Sequence, residues 1–178
     1  MFEGSRYEVR QKIAIGNKYV ISEGGEDILQ SAQKKLRLKE DFRFTDVDGG
    51  EELFKVKADS VLDTAAAYDI EDSRTGERVG SVKRSVMSMF KHEYQLLGPD
   101  GNVVATVKED SWLRAFVRRQ LTTWLPFAYG VEASDGSEVG RIEGAFSLRD
   151  RYSVTVTGDV DPRLLVIAAV VIDAIEGN

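Results

Sequence analysis

The chain has 178 residues, of which 42% are hydrophobic, and its formal charge is -6 at pH 7. This length and hydrophobic content are enough for a substantial core, so we expect one domain over residues 1–178. Cysteine is absent, which excludes disulfides, thiolate metal sites and cysteine nucleophiles. The acidic balance disfavours nucleic acid as a partner of the whole molecule, so an anionic partner would have to contact a local basic patch.

The N-terminal residues predict no targeting segment. Glu3, Arg6, Glu8 and Arg10 alternate in charge within the first eleven residues, and no apolar stretch accompanies them. A secretory signal requires such a stretch. We therefore expect a cytoplasmic protein, either free or peripheral to a membrane.

Most of the chain repeats one unit, which is an apolar strand, an acidic turn with glycine, and a second apolar strand. Alternating apolar residues on both sides of a glycine that can adopt positive φ are typical of β-hairpins. The copies begin at Tyr19, Phe42, Tyr68, Tyr94 and Tyr129, and their turns contain Gly24–Gly25, Asp48–Gly50, Gly76, Asp100–Gly101 and Asp135–Gly136. Flanking strands near Tyr7–Ile13 and Tyr152–Thr157 raise the total to about twelve, which favours a closed antiparallel barrel.

The C-terminal segment predicts a helix. Asp161 suits the N-cap, Pro162 the first helical position and Gly177 the position after the end. Between them Leu164–Ile172 is continuously apolar, so the helix must be surrounded on all sides. The run is far shorter than the roughly 20 residues of a membrane span, which favours burial in protein.

The strand count and the apolar helix together predict the fold. A barrel of about 8 strands is filled by its own side chains, whereas a larger one can enclose a helix. We therefore predict a mainly β protein in which an antiparallel barrel of about twelve strands surrounds a buried C-terminal α-helix. The alternative is an open, curved sheet with the helix packed on one face.

Several short segments, in a fixed order along the chain, carry a family resemblance. They are Tyr7–Ile13 with Ile15–Gly16 and Tyr19–Ile21, then Leu36–Asp41, Phe146–Tyr152 and Val171–Ile175. In them the chain resembles the LURP-one-related proteins, which belong with the tubby C-terminal domains and the phospholipid scramblases. The resemblance implies a twelve-stranded barrel around a central C-terminal helix, the tubby C-terminal-like fold.

What the resemblance implies for function is coarser. Tubby domains bind phosphoinositides through basic side chains, and scramblases are linked to calcium and lipid. The chain has neither the cysteine-rich acylation segment nor the membrane-spanning extension of the scramblases, so scramblase activity is not expected. None of the family's binding residues transfers to a position of this sequence.

No motif predicts catalysis, a metal site or a cofactor. His92 is the one histidine, and no nucleophile-elbow sequence accompanies it, so a surface strand position is favoured. Asp46, Asp48 and Glu51 gather carboxylates near glycines, but without the ligand spacing of a calcium loop, so an acidic hairpin turn is favoured. An enzyme with unrecognised chemistry is the least favoured interpretation.

Asp173 interrupts the apolar face of the predicted helix. A buried carboxylate needs hydrogen-bond donors or a cation, since otherwise a raised pKa would neutralise it. We expect Asp173 to accept hydrogen bonds from loop amides at one end of the barrel.

Residues Asp110–Leu121 predict a short amphipathic helix within a connection. Trp112 and Phe116 share one face of that helix, while Arg114 and Arg118 share another. Two interpretations remain open. The helix is either a lid that covers a barrel mouth or a segment that enters a membrane interface.

If the strands alternate up and down, the short glycine turns lie at one end of the barrel, the short-turn end, and the longer connections lie at the other, the long-connection end. The short turns are acidic and the longer connections are basic. The basic residues are Lys12, Lys18, Lys34, Lys35, Arg37, Lys39, Lys83, Arg84, Lys91, Arg114, Arg118, Arg119, Arg149 and Arg151. An acidic protein would thus have one basic end.

The predicted function is a nonenzymatic binding module whose basic end contacts anionic phospholipid headgroups. The candidate anion-binding residues are Lys83, Arg84, Lys91, Arg114, Arg118 and Arg119, and the membrane-interface candidates are Trp112 and Phe116. The alternative is a protein-interaction or scaffolding domain that uses exposed strands or the Trp112 helix. The sequence predicts no nucleic-acid partner and no transmembrane segment.

Overall fold

The structure, a computed structural model, describes residues 1–14, 16–32, 42–58, 67–85, 93–109, 128–144 and 151–176. These ranges contain twelve strands and one helix: β1 (Arg6–Ala14), β2 (Gly16–Glu23), β3 (Glu26–Ala32), β4 (Phe42–Thr45), β5 (Glu52–Ala58), β6 (Ala67–Asp72), β7 (Arg78–Arg84), β8 (Glu93–Leu97), β9 (Val103–Glu109), β10 (Ala128–Ala133), β11 (Glu138–Gly144), β12 (Arg151–Val156) and α1 (Pro162–Glu176).

The strands form one closed antiparallel barrel in chain order. Each strand pairs with its sequence neighbours, and β12 closes the ring by pairing with β1. The closing register places Val9 opposite Tyr152 and Arg10 opposite Arg151. The predicted barrel is confirmed, and the open-sheet alternative is wrong.

The hairpin turns form where the sequence supplies glycine and a short polar side chain. Gly136 has a φ of 85°, which side chains rarely tolerate, and its amide donates to the Ala133 carbonyl at 3.0 Å. The carboxylate of Asp135 accepts from the Ser137 amide at 2.9 Å. Because five such turns join even-numbered strands to the strands that follow them, all five lie at the short-turn end.

Helix α1 fills the barrel. Every residue from Leu164 to Ile172 is at most 3% exposed. The close fit depends on glycines in the wall: a Cβ at Gly140 would lie 2.7 Å from Leu165 Cδ2. The predicted N-cap is confirmed, since the Asp161 carboxylate accepts from the Arg163 amide at 2.9 Å. The helix ends at Glu176, and Gly177 lies outside the described residues.

The direction of α1 follows from the topology. Strand β12 ends at the short-turn end, so the helix enters there and its C-terminus lies at the long-connection end. The strands that start at that end are β2, β4, β6, β8, β10 and β12. Each carries an inward-facing aromatic residue among its first four, and these six residues, the aromatic collar, are Tyr19, Phe42, Tyr68, Tyr94, Tyr129 and Tyr152.

Candidate functional site

At the short-turn end, Glu23 holds the N-terminal residues over the barrel. Its carboxylate accepts from the amides of Phe2 at 2.9 Å and Glu3 at 2.7 Å, and from that of Gly4. Burial acts to raise the pKa of this carboxyl, but the three amides outweigh it and the pKa is lowered. The Phe2 ring packs against Phe54 with centroids 5.8 Å apart, so the segment also covers apolar surface.

A network of ion pairs surrounds the start of α1. Asp72 is only 3% exposed and pairs with Arg74 at 3.2 Å and with Arg163 at 3.9 Å. Arg163 also binds Asp161 at 2.7 Å. Burial acts to raise the pKa of Asp72, whereas hydrogen bonds from Arg74 lower it, and the net shift is downward.

Three members of this network line a cavity of about 440 Å³ together with Met1, Phe2 and Phe54; they are Arg74, Asp161 and Arg163. Sequence reasoning assigned acidic residues to this end and did not include Arg74 and Arg163. Their guanidinium groups balance Asp72 and Asp161. The cavity therefore offers no unpaired cation to an anionic ligand.

In the acidic turn of residues 46–52, the Asp46 carboxylate accepts a hydrogen bond from within the same turn. Asp46 Oδ1 accepts from the Gly50 amide at 2.8 Å, and the Asp46 amide donates to the Glu51 carbonyl at 3.0 Å. These bonds close the β4–β5 hairpin, as the interpretation of an acidic turn requires. Within the described ranges no group of three or more His, Asp or Glu side chains has an arrangement that could hold a metal ion.

At the long-connection end, three cations stand apart from the ion pairs. Lys18 near the start of β2, Lys83 near the end of β7 and Arg151 at the start of β12 make no ion pair or side-chain hydrogen bond with any described residue. Arg151 is exposed, and the other two are partly buried. Cations without partners at one end are what an anion-binding surface requires.

The two described members of the predicted binding set point away from each other. Val82 faces the core and is 0% exposed, so strand alternation puts Lys83 on the outer face and Arg84 on the same face as Val82, at the strand end, where Arg84 is exposed. Arg84 lies opposite Tyr94 of the aromatic collar. The other members, Lys91, Arg114, Arg118, Arg119, Trp112 and Phe116, lie outside the described residues, as does His92.

The connection between β1 and β2 differs from its neighbours at this end. Only residue 15 separates the two strands, so Lys12 and Lys18 are strand residues and lie directly opposite each other. Sequence reasoning assigned both to a longer connection, which was wrong. The hydrophobic alternation of each strand does not reveal which residues of two strands are opposite one another.

Asp173 lies at the C-terminal end of α1, within the aromatic collar. It is partly buried, and it accepts a hydrogen bond from the Tyr19 hydroxyl. The loop amides that we expected to donate to it belong to connections outside the described residues. Burial, and then the charge of Asp173, raise the pKa of the Tyr19 phenol. The same two causes raise the pKa of Tyr152. The phenols therefore stay protonated and can donate.

None of the described helices is long and apolar enough to cross a membrane. A comparison with curated proteins found no match to this chain. The family described as LURP-one-related matches residues 27–173, from β3 to the last turns of α1. That range covers most of the barrel and the core of the helix. The chain belongs to the LURP-one-related family.

Proposed function

We propose that this protein is a nonenzymatic binding module that contacts anionic phospholipid headgroups through its long-connection end. The observation that carries the proposal is the set of three cations at that end that have no partner among the described residues, Lys18, Lys83 and Arg151. Each basic side chain near an anionic leaflet contributes about 1 kcal/mol, within a Debye length of about 8 to 10 Å. Several together can outweigh the repulsion from the net charge of -6.

The remainder of the barrel wall supports this choice by contrast. Apart from Arg6, the lysines and arginines that the structure describes elsewhere on the wall mostly pair with acids on the same or a neighbouring strand. Lys55 pairs with Glu71 at 3.2 Å, Arg78 with Asp69 at 2.8 Å and Lys108 with Glu132 at 2.6 Å. Their charges are balanced, so an anionic surface would gain little from them.

Membership in the LURP-one-related family agrees with a binding module. The closed barrel disfavours the alternative in which a partner adds a strand, because each described strand already has a neighbour on both sides. The Trp112 segment keeps both of its interpretations, and a membrane test can separate them.

The test is co-sedimentation with vesicles of phosphatidylcholine, with and without phosphatidylserine. We expect binding to the anionic vesicles only, weaker at high salt. The variant Lys18→Ser/Lys83→Ser/Arg151→Ser should bind at least tenfold more weakly, since each charge contributes about 1 kcal/mol. The control Arg43→Ser/Arg78→Ser/Arg141→Ser removes the same charge from paired positions and should bind like wild type or more weakly by less than threefold.

A second variant tests the predicted sequence set directly. Changing Lys83, Arg114 and Arg118 together to Ser should also weaken binding, and Trp112 fluorescence should shift to the blue if that segment enters the interface. A Trp124→Phe background isolates the Trp112 signal. Failure of the folded wild type to bind anionic vesicles at low salt would reject the lipid proposal and favour a protein-interaction domain.

A further inference from the structure

Two like-charged pairs occupy adjacent register positions of the sheet at the long-connection end. Arg10 of β1 is directly opposite Arg151 of β12, and Lys12 of β1 is directly opposite Lys18 of β2. Strands β12, β1 and β2 are neighbours in the ring, so the four positions form one patch, which we call the β1 sector. Like charges at directly opposite positions destabilise a sheet.

Among the described acids near the β1 sector, only Asp27 neutralises one of its cations. Asp27 of β3 binds Arg10, whose guanidinium also donates to the Ser22 hydroxyl at 3.2 Å. Glu8 lies two residues from Arg10 along β1, toward the short-turn end, and it is opposite Ser153 of β12 and Ser22 of β2. Arg151 and Lys18 are left without an acidic partner among the described residues.

A groove of about 250 Å³ runs along this wall. Arg151 lines it at one end and Arg6 at the other, with Glu8, Ser153 and Glu143 between them. Arg6 also makes no described ion pair. The groove is therefore bordered by two carboxylates and by two guanidinium groups that have no described ion pair, and guanidinium groups suit a phosphate oxygen.

We infer that the β1 sector is the part of the long-connection end that binds the membrane. Lys18 and Arg151 bind the headgroup phosphates. This inference rests on the proposed function and names its surface. The barrel then lies tilted, with the β12–β1–β2 wall toward the bilayer. An anionic surface at the β1 sector relieves the repulsion within the like-charged pairs. We therefore expect it to bind there more strongly than at an isolated cation.

The geometry gives a contrasting site at the same end. Strand β7, with Lys83 and Arg84, is six strands from β1 in either direction around the twelve-stranded ring. A flat bilayer that lies against the β12–β1–β2 wall cannot reach the outward-facing Lys83 on the opposite wall. Docking on the long-connection end as a whole would instead engage both sides.

The experiment compares two double variants that each remove two positive charges. One is Lys18→Ser/Arg151→Ser and the other is Lys83→Ser/Arg84→Ser. Co-sedimentation with vesicles of phosphatidylcholine and phosphatidylserine should show at least tenfold weaker binding for the first, with the second within threefold of wild type. Circular dichroism checks that both variants are folded.

The outcomes separate this inference from the proposed function. Equal losses in both variants, or a loss in the Lys83→Ser/Arg84→Ser variant alone, would overturn the β1 sector and leave membrane binding by this end in place. No binding by folded wild type would overturn both.

A second readout needs no lipid. Arg151→Ser should leave the melting temperature unchanged or raise it at low salt, because it removes a like charge opposite Arg10. Any gain should shrink at high salt. A lower melting temperature for this variant at low salt would show that Arg151 serves the fold, and it would contradict the repulsion on which the inference depends.

Discussion

The described charged residues at the two ends of the barrel make different contacts. At the short-turn end, carboxylates close turns and bind arginines: Glu23 holds three amides, Asp46 holds the Gly50 amide and Asp72 binds two guanidinium groups. At the long-connection end, Lys18, Lys83 and Arg151 have no such partners within the part of the chain that the structure describes. The carboxylates of the short-turn end therefore stabilise the fold. No described contact gives Lys18, Lys83 and Arg151 such a role.

Both ends of the barrel share one core around α1, and the largest expected effect tests that arrangement. Ile172, near the C-terminal end of α1, is 3% exposed. Replacing it with Ala should lower the free energy of unfolding by about 2 to 5 kcal/mol, as large core truncations do. Urea denaturation measures this loss. The control Val103→Ala, at a residue 39% exposed, should cost far less, and equal losses would contradict a helix surrounded by the barrel.

The next effect tests whether the acids of the short-turn end serve the fold. Asp72→Asn removes the charge that Arg74 and Arg163 share, and we expect a loss of about 1 to 3 kcal/mol in the free energy of unfolding. Asp69→Asn is the matched control, because Asp69 is 43% exposed and pairs with Arg78 on the surface. Surface pairs contribute about 0 to 1 kcal/mol. Equal small losses in urea denaturation would show that the Asp72 network is dispensable.

Glu23→Gln should have a smaller effect that depends on pH. The pKa of Glu23 is lowered in the folded protein, so its charged form stabilises the fold. That contribution is fully present above the unfolded value of 4.5 and is lost as the pH falls through the folded-state pKa. Thermal denaturation from pH 7 to pH 3 should therefore show a gap between wild type and variant that closes in acid. A constant gap would mean that the carboxylate charge does not hold the N-terminal residues.

The smallest effect is expected at the long-connection end. Lys83 has no described partner, so Lys83→Ser should change the free energy of unfolding by no more than about 0.5 kcal/mol, as for surface substitutions without a special contact. Urea denaturation at physiological salt gives the value. A loss above 1 kcal/mol would assign Lys83 to the fold and remove it from the candidate surface.

The sequence predicts the barrel because the relevant signals are local. Phe42 and Phe44 alternate within one strand, the hairpin glycines mark the turns, and Leu164–Ile172 is apolar without interruption. The expected difference in charge between the two ends also follows from local signals, since antiparallel neighbours place alternate connections at opposite ends of the barrel. These features need no knowledge of which distant residues meet.

What the sequence does not predict depends on non-local register and on side-chain geometry. Arg10 and Arg151 are opposite each other only because β12 closes on β1 in one register. The Asp72–Arg163 pair likewise requires a turn and the start of α1 to meet in space. The aromatic collar did have a sequence signal, because the repeat copies begin with Tyr19, Phe42, Tyr68, Tyr94 and Tyr129, but its role around Asp173 required the structure.

Hydrogen exchange with anionic vesicles tests the central claim, that the two ends differ in function, most directly. Amides should be measured in wild type with phosphatidylserine-containing vesicles and with pure phosphatidylcholine vesicles at the same lipid concentration. The account predicts added protection at residues 16–18 and 151–153 with the anionic vesicles, and none at the short turns around Gly49, Gly76 and Gly136. Protection of the short turns, with the long-connection end unchanged, would contradict it.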